Sequence, residues 1–243
     1  MENMNLFKVF LVSLTFVSAL CSKNPIDFYK FSLQWPRSSC SGGTMKCPNP
    51  LPVGIGTSFT IHGLWPQDAN DEPVDPYDRS THPCSAQSPP GRSQVLALIK
   101  SLYPSLTTNW PDLKNPLNTI ANEGFWWKEW SKHGTCSDFP SKPFDYFDSA
   151  LQIKLQLPAS LGLSSGTTQS LLDIFNAISS VVKAKPELAC NRNASTNKLQ
   201  LWEVRLCYER PAPNELVKTI RDCPSSWPAK GPCTSPQDQV TLP

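Results

Sequence analysis

The sequence predicts an α+β fold in which helices surround a largely antiparallel central sheet. Three segments alternate apolar and polar residues with the period of a strand, and others repeat apolar residues at three and four positions, as helices do. Strands and helices are mixed along the chain without a regular βαβ alternation, which argues against a purely parallel sheet. No change in composition and no repeat divides the chain, so a single domain is expected.

Each of the three predicted strands separates an apolar face from a polar face. In residues 27–35 aromatic and leucine side chains alternate with polar ones, so Gln34 points away from the apolar face. In residues 58–62 the same alternation places His62 on the polar face, at the end of the strand. Residues 201–208 form the third predicted strand, with four apolar side chains on one side.

Apolar residues recur with helical spacing in residues 93–102, 144–155 and 168–183. A fourth helix, over residues 125–133, separates two kinds of side chain when it is wound at 100° per residue. Within one arc of roughly 140° it carries Phe125, Lys128, Glu129, Lys132 and His133. On the opposite side it carries Trp126, Trp127 and Trp130, which we expect in the core. The alternative is an ordinary solvated face with a salt bridge between Glu129 and His133.

The first residues of the chain are expected to be a secretory signal peptide over residues 1–22. Its apolar segment, residues 9–21, is shorter than the roughly 20 residues that span a bilayer, and small residues follow it. A membrane anchor is the alternative. Residues 23–243 would then be one domain with no membrane segment, large enough to bury a substantial core.

Cysteine and proline usage indicate an exported, disulfide-stabilised protein. Of nine cysteines, Cys21 falls in the predicted signal peptide, and the remaining even number fits disulfides in an oxidising compartment. A zinc site is the competing use of cysteines, but the sequence has no C-x-x-C pair, so no metal is predicted. The 25 prolines are about twice ordinary usage and indicate long loops. Asn193 begins the one N-glycosylation sequon.

The charge of the chain is nearly balanced. The formal net charge is +2, and the sequence has no basic tract. Tight nonspecific binding of duplex nucleic acid through many phosphate contacts is therefore not expected. If nucleic acid is the partner, a cleft must hold it.

Two of the three histidines lie in short sequence words, one of which also contains a carboxylate and a lysine. Histidine can give and take protons near neutral pH. Cleavage of RNA needs one group to deprotonate the ribose 2′-hydroxyl, another to protonate the leaving 5′-oxygen, and a cation to stabilise the charged phosphorus. His62 and His133 can transfer the protons, Lys132 can supply the cation, and Glu129 can orient an imidazole or raise its pKa. A histidine that only hydrogen-bonds a loop is the alternative. His82, in a turn-rich loop, is expected to be structural or merely exposed.

The same two words resemble the active-site segments of the secreted ribonuclease T2 family. The first runs from Phe59 to Pro66 and the second from Glu129 to Cys136. Shorter similar stretches lie at residues 31–36, 110–112 and 204–209, so the resemblance spans the mature chain. It is strongest to plant members, which include the S-like ribonucleases and the self-incompatibility S-ribonucleases.

The resemblance implies an endoribonuclease that cleaves single-stranded RNA through a 2′,3′-cyclic phosphate, with no cofactor and little base preference. His133 would be the general base and His62 the general acid, and Glu129 and Lys132 would stabilise the charged intermediate. The implied substrate-binding residues are Gln34, Trp65, Asp112 and Phe125, the last by stacking on a base. The implied disulfides are Cys40 to Cys47, Cys84 to Cys136, Cys190 to Cys233 and Cys207 to Cys223.

Lys128 departs from the family pattern, because many members carry at this position a histidine that binds phosphate. A lysine keeps the positive charge but cannot take up and release a proton near pH 6 unless its pKa is strongly depressed. We therefore expect Lys128 to contact substrate, with a shifted pH profile and weaker binding than in its relatives.

The expected protein is a secreted monomer. The vacuole is the alternative destination, because residues 239–243 could be a tail or a vacuolar signal. Two alternative functions stay open: a weakly active or inactive ribonuclease-like storage or defence protein, and a self-incompatibility ribonuclease.

Overall fold

The structure is a computed structural model that describes residues 26–85, 87–228 and 231–243. The predicted signal peptide, residues 1–22, lies outside the described residues. In the part of the chain that is described, no helix is both long and apolar enough to cross a membrane.

Strands and helices follow one another irregularly along the described chain. The strands are β1 (Phe28–Gln34), β2 (Thr60–Gln67), β3 (Thr167–Ser170), β4 (Glu187–Arg192), β5 (Leu199–Glu209), β6 (Ile220–Arg221) and β7 (Gln239–Leu242). The α-helices are α1 (Pro36–Ser41), α2 (Arg92–Leu98), α3 (Tyr103–Asn109), α4 (Thr119–Glu129), α5 (Pro143–Gln156) and α6 (Leu171–Val182). A short 3-10 helix (Lys100–Leu102) precedes α3, and a π-helical turn (Trp130–Gly134) continues α4.

The strands form one sheet with the order β2, β1, β5, β7, β3, and β4 and β6 also pair with β5. The pairs are antiparallel except that of β5 and β7, which meet in parallel at Gln200 and Thr241. The long strand β5 therefore organises the sheet. The predicted class, a single α+β domain with a largely antiparallel sheet, is confirmed.

Strand β1 is buried on both faces. Its aromatic and leucine side chains join the main hydrophobic core, which also contains Trp126 and Trp130 of the helical layer. The opposite face carries Lys30, Ser32 and Gln34, and these polar residues are buried as well. Because buried polar groups are costly unless they are paired, this face must contain its own network of polar contacts.

Four disulfides hold the long connections to this framework. The pairs are those that the resemblance implied: Cys40–Cys47, Cys84–Cys136, Cys190–Cys233 and Cys207–Cys223. The second pair joins the loop before α2 to the chain that follows the π-helical turn. A cross-link of this kind reduces the freedom of the unfolded chain and stabilises the fold.

Several predicted boundaries are wrong. The helix predicted over residues 93–102 ends at Leu98 and is followed by a 3-10 helix, and the helix predicted over residues 125–133 begins at Thr119. Residues 168–170 belong to β3, and α6 begins only at Leu171, because the Ser170 side chain caps the helix by accepting from the Asp173 amide at 3.1 Å. Strand β2 does not end at His62 but continues to Gln67.

The carboxyl-terminal residues are part of the fold. Residues 239–242, predicted to be a tail or a vacuolar signal, form β7, with Val240 and Leu242 buried in the core. The carbonyl of Pro243 accepts a hydrogen bond from the indole of Trp35 at 2.7 Å. An exposed tail is therefore excluded.

Candidate active site

His62 lies at a β-bulge, where strand β2 carries one more residue than β1. The register shifts between Ser32 and Leu33, and His62 is the residue of β2 that has no opposite number. Its carbonyl oxygen accepts a hydrogen bond from the indole Nε1 of Trp110 at 2.9 Å. The bulge re-aims the imidazole relative to the regular pleat, and Trp110 holds the bulge in place.

The imidazole of His62 is hydrogen-bonded through Nδ1 to the carboxylate of Glu203 on β5. The Glu203 side chain is 0% exposed and also accepts two hydrogen bonds from Arg205, at 2.8 and 2.9 Å. An ionised carboxylate only accepts hydrogen bonds, so Nδ1 of His62 carries a hydrogen. The other ring nitrogen, Nε2, is left for a substrate, and the side chain is 30% exposed.

The charges around His62 favour its protonated form. Burial by itself lowers the pKa, but the charge and hydrogen bond of Glu203, together with the charge of Glu129, outweigh burial and leave the pKa of His62 raised. The Glu203 pKa moves the other way: burial raises it, and the charges of His62 and Arg205 bring it below its ordinary value. The two groups therefore form an imidazolium–carboxylate pair.

His133 lies in the π-helical turn that follows Glu129 and is 6% exposed. Burial, with the nearby charges of Lys132 and His62, lowers the pKa of His133 to about 3. Its Nδ1 is buried and has no hydrogen-bond partner among the described residues. Above about pH 3, His133 is therefore neutral while His62 is still charged.

Trp65 on β2 connects the two histidines. Its Nε1 donates to Oε2 of Glu129 at 3.2 Å. The centre of its ring system lies 5.2 Å from that of His62 and 5.5 Å from that of His133. The guanidinium carbon of Arg205 lies 5.7 Å from the Trp65 ring centre. One indole therefore positions the sheet side and the helix side of the site against each other.

Glu129 is 8% exposed and is not paired with His133, so the salt bridge of the alternative interpretation does not form. Burial raises the pKa of Glu129, and the charges of His62 and Lys132 and the Trp65 hydrogen bond offset this only in part. The predicted common arc is also split, because Glu129 and His133 are buried while Lys128 and Lys132 are exposed.

The tryptophans of α4 support the site from behind. Trp126 and Trp130 are fully buried in the core, as predicted, and Trp127 is half-buried and packs against the same core. The Nε1 of Trp126 donates to the carbonyl of Trp110 at 2.7 Å. Because Trp110 in turn holds the bulge at His62, α4 and β2 are connected through two indoles.

Two glycines permit the close contacts of the site. A Cβ at Gly63 would overlap Nε1 of Trp65 and Oε2 of Glu129, the two atoms of the central hydrogen bond. A Cβ at Gly134 would overlap the ring of Trp130. The glycine that follows each histidine is therefore required by packing.

The residues expected to bind a base differ in how accessible they are. The Phe125 ring is half-buried and stacks beside His62, with centres 6.5 Å apart and planes 26° apart. Gln34 is 3% exposed, and its amide group is hydrogen-bonded to the Ile61 carbonyl at 3.4 Å and to Ser39 at 3.3 Å. Phe125 thus presents part of its ring beside the His62 imidazole, whereas Gln34 is buried.

Asp112 and Lys128 lie at the edge of the helical side. The Asp112 carboxylate accepts from the Lys114 amide at 3.1 Å, and the Asp112 amide donates to Asn122 at 2.7 Å. This carboxylate therefore stabilises its own loop. Lys128 is exposed on α4, and Asn193 lies in the turn between β4 and β5, where its side chain accepts from two backbone amides.

One group of ligand-type side chains comes together among the described residues. It consists of His82, Cys84 and Cys136. Both cysteines are joined in a disulfide, so their sulfurs are not thiolate ligands. His82 also contacts the carbonyl of Pro76 at 3.1 Å, in keeping with its predicted structural position.

Sequence reasoning missed Glu203 and Arg205. The third predicted strand was described by its apolar side, and the opposite side of the same strand carries both residues, two positions apart. A pair of opposite charges inside a strand that is otherwise apolar is the signal that would have identified them. The register that brings Glu203 to His62 was not available from the pattern.

Comparison with known proteins identifies relatives of this chain. Residues 26–223 match the Ribonuclease T2 family. The chain is 35% identical to Ribonuclease 1 of Arabidopsis thaliana, over 79% of this chain and 80% of that protein. It is 33% identical to extracellular ribonuclease LE of Solanum lycopersicum, over 84% of this chain and 86% of that protein.

A solved structure agrees with these sequence relatives. RNase NT in complex with 5′-AMP superposes with a TM-score of 0.68 at 26% identity, covering 90% of this chain and 98% of that one. The fold and its relatives define an endoribonuclease. The chain belongs to the Ribonuclease T2 family.

Proposed function

We propose that this enzyme cleaves single-stranded RNA by transphosphorylation, without a metal, through a 2′,3′-cyclic phosphate. The observation that carries the proposal is the opposite tuning of the two histidines. The pKa of His62 is raised by Glu203, and the pKa of His133 is lowered to about 3 by burial and neighbouring cations. One site therefore holds an acid and a base at the same pH, as paired proton transfer requires.

In the first step, neutral His133 takes the proton of the ribose 2′-hydroxyl. The 2′-oxygen attacks the adjacent phosphorus, the bond from phosphorus to the 5′-oxygen breaks, and His62 gives its Nε2 proton to that leaving oxygen. Hydrolysis of the cyclic phosphate reverses the roles, since His62 is then neutral and His133 protonated. The substrate provides its own nucleophile, so no serine, cysteine or metal ion is needed.

Lys132 and Glu129 act on the charge that develops at phosphorus. The ammonium of Lys132 is exposed at the cleft and is close enough to lower the pKa of His133. It supplies the electrostatic stabilisation of the five-coordinate intermediate. Glu129 has a raised pKa because it is buried, so at acid pH its protonated form can donate a hydrogen bond to a phosphoryl oxygen.

The same surface favours single-stranded substrates with little base preference. Phe125 and Trp65 offer aromatic rings beside the histidines, and stacking on such rings tolerates every base. The polar groups of Gln34 and Asp112 are already used within the protein, which leaves little hydrogen-bonding readout of base edges. RNase NT, a structural relative, was solved with 5′-AMP, which supports nucleotide binding at this cleft.

Secretion fits the chemistry of the chain. The relative from Solanum lycopersicum is named an extracellular ribonuclease, and four disulfides suit an oxidising compartment. We therefore propose removal of a signal peptide over residues 1–22, a monomeric ribonuclease domain over residues 23–243, and a glycan at Asn193.

Product analysis tests this function. The secreted protein is incubated with a defined RNA oligonucleotide at pH 5 in EDTA, and the products are analysed by mass spectrometry. We expect 3′ ends bearing a 2′,3′-cyclic phosphate, no cleavage of the matched 2′-O-methyl oligonucleotide, and loss of cleavage in His133→Ala. Equally slow cleavage by wild type and His133→Ala would support the storage or defence alternative instead.

A further inference from the structure

A chain of buried ion pairs runs from His62 across the polar face of the sheet. Glu203 contacts His62 at one end and Arg205 at the other. The Arg205 guanidinium also contacts Glu187 on β4. Glu187 accepts from Lys30 on β1 at 2.8 Å. Lys30 then contacts Asp71 at 2.7 Å, in the loop after β2.

The sheet register builds this chain. Gln34 lies opposite Glu203, and Ser32 lies opposite Arg205, on the β1 strand that separates β5 from β2. Strands two apart in a sheet are about 10 Å from each other, so residues of β2 and β5 meet only over the short or folded side chains of the strand between them. Ser32 is small, which leaves room for the long side chains to pass above β1.

Three members at the centre of the chain are deeply buried, while Arg205 and Asp71 are 18% exposed, so an imbalance of charge is costly at the centre. Exposed fractions are 0% for the Glu203 side chain, 3% for Glu187 and 7% for Lys30. With His62 neutral, three carboxylates face two permanent cations, and with His62 protonated the charges are equal. Because an unbalanced buried charge is expensive, the chain favours a proton on His62.

We propose that Glu203 is a positioning residue for the general acid, held in place by Arg205, Glu187 and Lys30, which keeps His62 protonated and presents its Nε2 to the leaving 5′-oxygen. This inference rests on the proposed function of His62 and adds to it the group that maintains its proton. Glu203 touches neither substrate nor reacting atoms, and it acts through the imidazole alone.

The other groups that face His62 do not replace Glu203. From α4, the charge of Glu129 also raises the pKa of His62, but Glu129 is hydrogen-bonded to Trp65 and not to the imidazole. Arg205 on β5 lowers the pKa of His62. His133, which the π-helical turn places near His62, is neutral. The remaining contacts are aromatic rings, contributed by Trp65, Phe125 and Trp202. Glu203 is the one carboxylate hydrogen-bonded to His62 within the described residues.

The test compares Glu203→Gln with wild type in two ways. The first is an NMR titration of the His62 ring, in which the substitution should lower the pKa by at least about one unit, since the amide keeps the shape but loses the charge. The second is the pH profile of kcat/KM, in which the limb at higher pH should move down by the same amount. The limb at low pH belongs to His133 and should not move.

A pair of substrates separates positioning from simple loss of structure. With an RNA dinucleotide, Glu203→Gln should lose more than about 10-fold in kcat/KM above pH 6.5. With a nucleoside 3′-aryl phosphodiester, whose leaving group needs no proton, the same variant should lose less than about threefold. Glu203→Asp should recover part of the pKa of His62 because it restores the charge.

Glu203→Gln combined with Arg205→Gln keeps the proposal testable if the single variant is unstable, since both charges of one ion pair are then removed. The double variant is compared with Arg205→Gln alone, because the charge of Arg205 by itself lowers the pKa of His62. A His62 titration that is the same in Glu203→Gln as in wild type, or the same in the double variant as in Arg205→Gln, would overturn the proposal. Equal losses on the two substrates would also overturn it, because a structural defect does not distinguish leaving groups. If the proposed function itself is wrong, His133→Ala keeps wild-type cleavage while the NMR shift of His62 in Glu203→Gln is still observed.

Discussion

The two halves of the active site treat the same side chain in opposite ways. On the sheet half, His62 projects from a bulge and is hydrogen-bonded to a carboxylate backed by alternating charges. On the helix half, His133 lies buried in a π-helical turn with a lysine beside it and no carboxylate partner in the described part of the chain. The pKa of His62 is raised and that of His133 is lowered, although both start from 6.5.

In the proposed mechanism, the surroundings of each histidine decide which one is the acid and which one is the base. In a sheet, the register decides which residues lie side by side. Charged residues on a strand two positions away, such as Glu203 on β5, can therefore be held at a fixed place beside the site. A helix end offers burial and a nearby cation, which stabilise the neutral form. In the proposed first step, a proton therefore leaves the sheet half at His62 and another is taken up by the helix half at His133.

The largest effects are expected when each histidine is removed in turn, which tests the difference between the two halves. We expect His62→Ala to lose about 10²- to 10⁴-fold in kcat/KM on an RNA dinucleotide but less than about 10-fold on a nucleoside 3′-aryl phosphodiester. His133→Ala should lose about 10²- to 10⁴-fold on both, because the 2′-hydroxyl must be deprotonated in each. Steady-state kinetics at pH 5 make the measurement.

His82→Asn is the control for these variants, since His82 lies in a loop outside the cleft. It should keep wild-type kinetics on both substrates. The opposite pattern, in which His133→Ala is rescued by the aryl leaving group, would exchange the roles of the two halves.

The next effect tests how tightly the halves are held together. Gly63→Ala places a methyl group against the atoms of the Trp65–Glu129 hydrogen bond. We expect kcat/KM to fall about 10- to 100-fold, as small displacements of catalytic groups do, with a loss of about 1–3 kcal/mol in the free energy of unfolding. Kinetics and urea denaturation measure the two effects.

Gly134→Ala and Gly124→Ala are the comparison variants, one with a steric overlap and one without. A methyl at Gly134 overlaps the buried Trp130 ring, so about 1–3 kcal/mol of stability should be lost on the helix half. A methyl at Gly124, inside α4, has no heavy atom within 4 Å, so it should add about 0.5–1 kcal/mol and leave activity unchanged. Wild-type activity in Gly63→Ala would show that the central hydrogen bond does not align the site.

Sequence patterns predicted the helix half and the sheet half unequally well. The alternation of residues 58–62 placed His62 on a polar face, and the helical spacing placed the tryptophans behind His133. The bulge could not be foreseen, because it depends on a mismatch between β1 and β2 that neither strand shows alone. Thr168 to Ser170 continued a helical pattern and were still drawn into β3 by pairing with β7.

Contacts between residues that are far apart in the sequence were the hardest to predict. Glu203 is 141 residues from His62 in the chain, and only the order of strands brings them together. The π-helical turn is likewise invisible to a fixed 100° rotation, which is why Glu129 and His133 were placed as possible neighbours. Local periodicity identifies faces, whereas register and packing decide which faces meet.

A smaller effect is expected in the pH dependence of stability. Below pH 6.5 an unfolded chain protonates His133, whereas the folded chain does not until about pH 3. Stability therefore falls as pH falls through this range, and by pH 5 the cost is about 2 kcal/mol at about 1.4 kcal/mol per pH unit. His62 affects the free energy of unfolding in the opposite direction. Its stabilising contribution is complete below pH 6.5 and is lost as the pH rises through its raised pKa in the folded protein.

Urea denaturation of wild type and His133→Asn at pH 7 and pH 5, with the disulfides intact, measures how much His133 contributes to the pH dependence of the free energy of unfolding. The variant should lose about 2 kcal/mol less than wild type between the two values. A difference that does not change with pH would show that His133 is accessible to protons in the folded protein.

The smallest expected effect concerns Lys128, the residue that departs from the family pattern. It is exposed on α4, one residue before buried Glu129, so its charge is screened by water and acts on a bound phosphate only weakly. Lys128→Ala should raise KM less than about fivefold without changing kcat, and Lys128→His should match wild type at pH 5 but follow the alanine variant at pH 7.5, where the imidazole is neutral. Lys132→Ala is the matched comparison on the same segment, and it should lower kcat itself, because that cation stabilises the transition state. If Lys128→Ala lowers kcat as much as Lys132→Ala does, the helix half uses two catalytic cations, and its chemistry is less dependent on burial than the contrast with His62 implies.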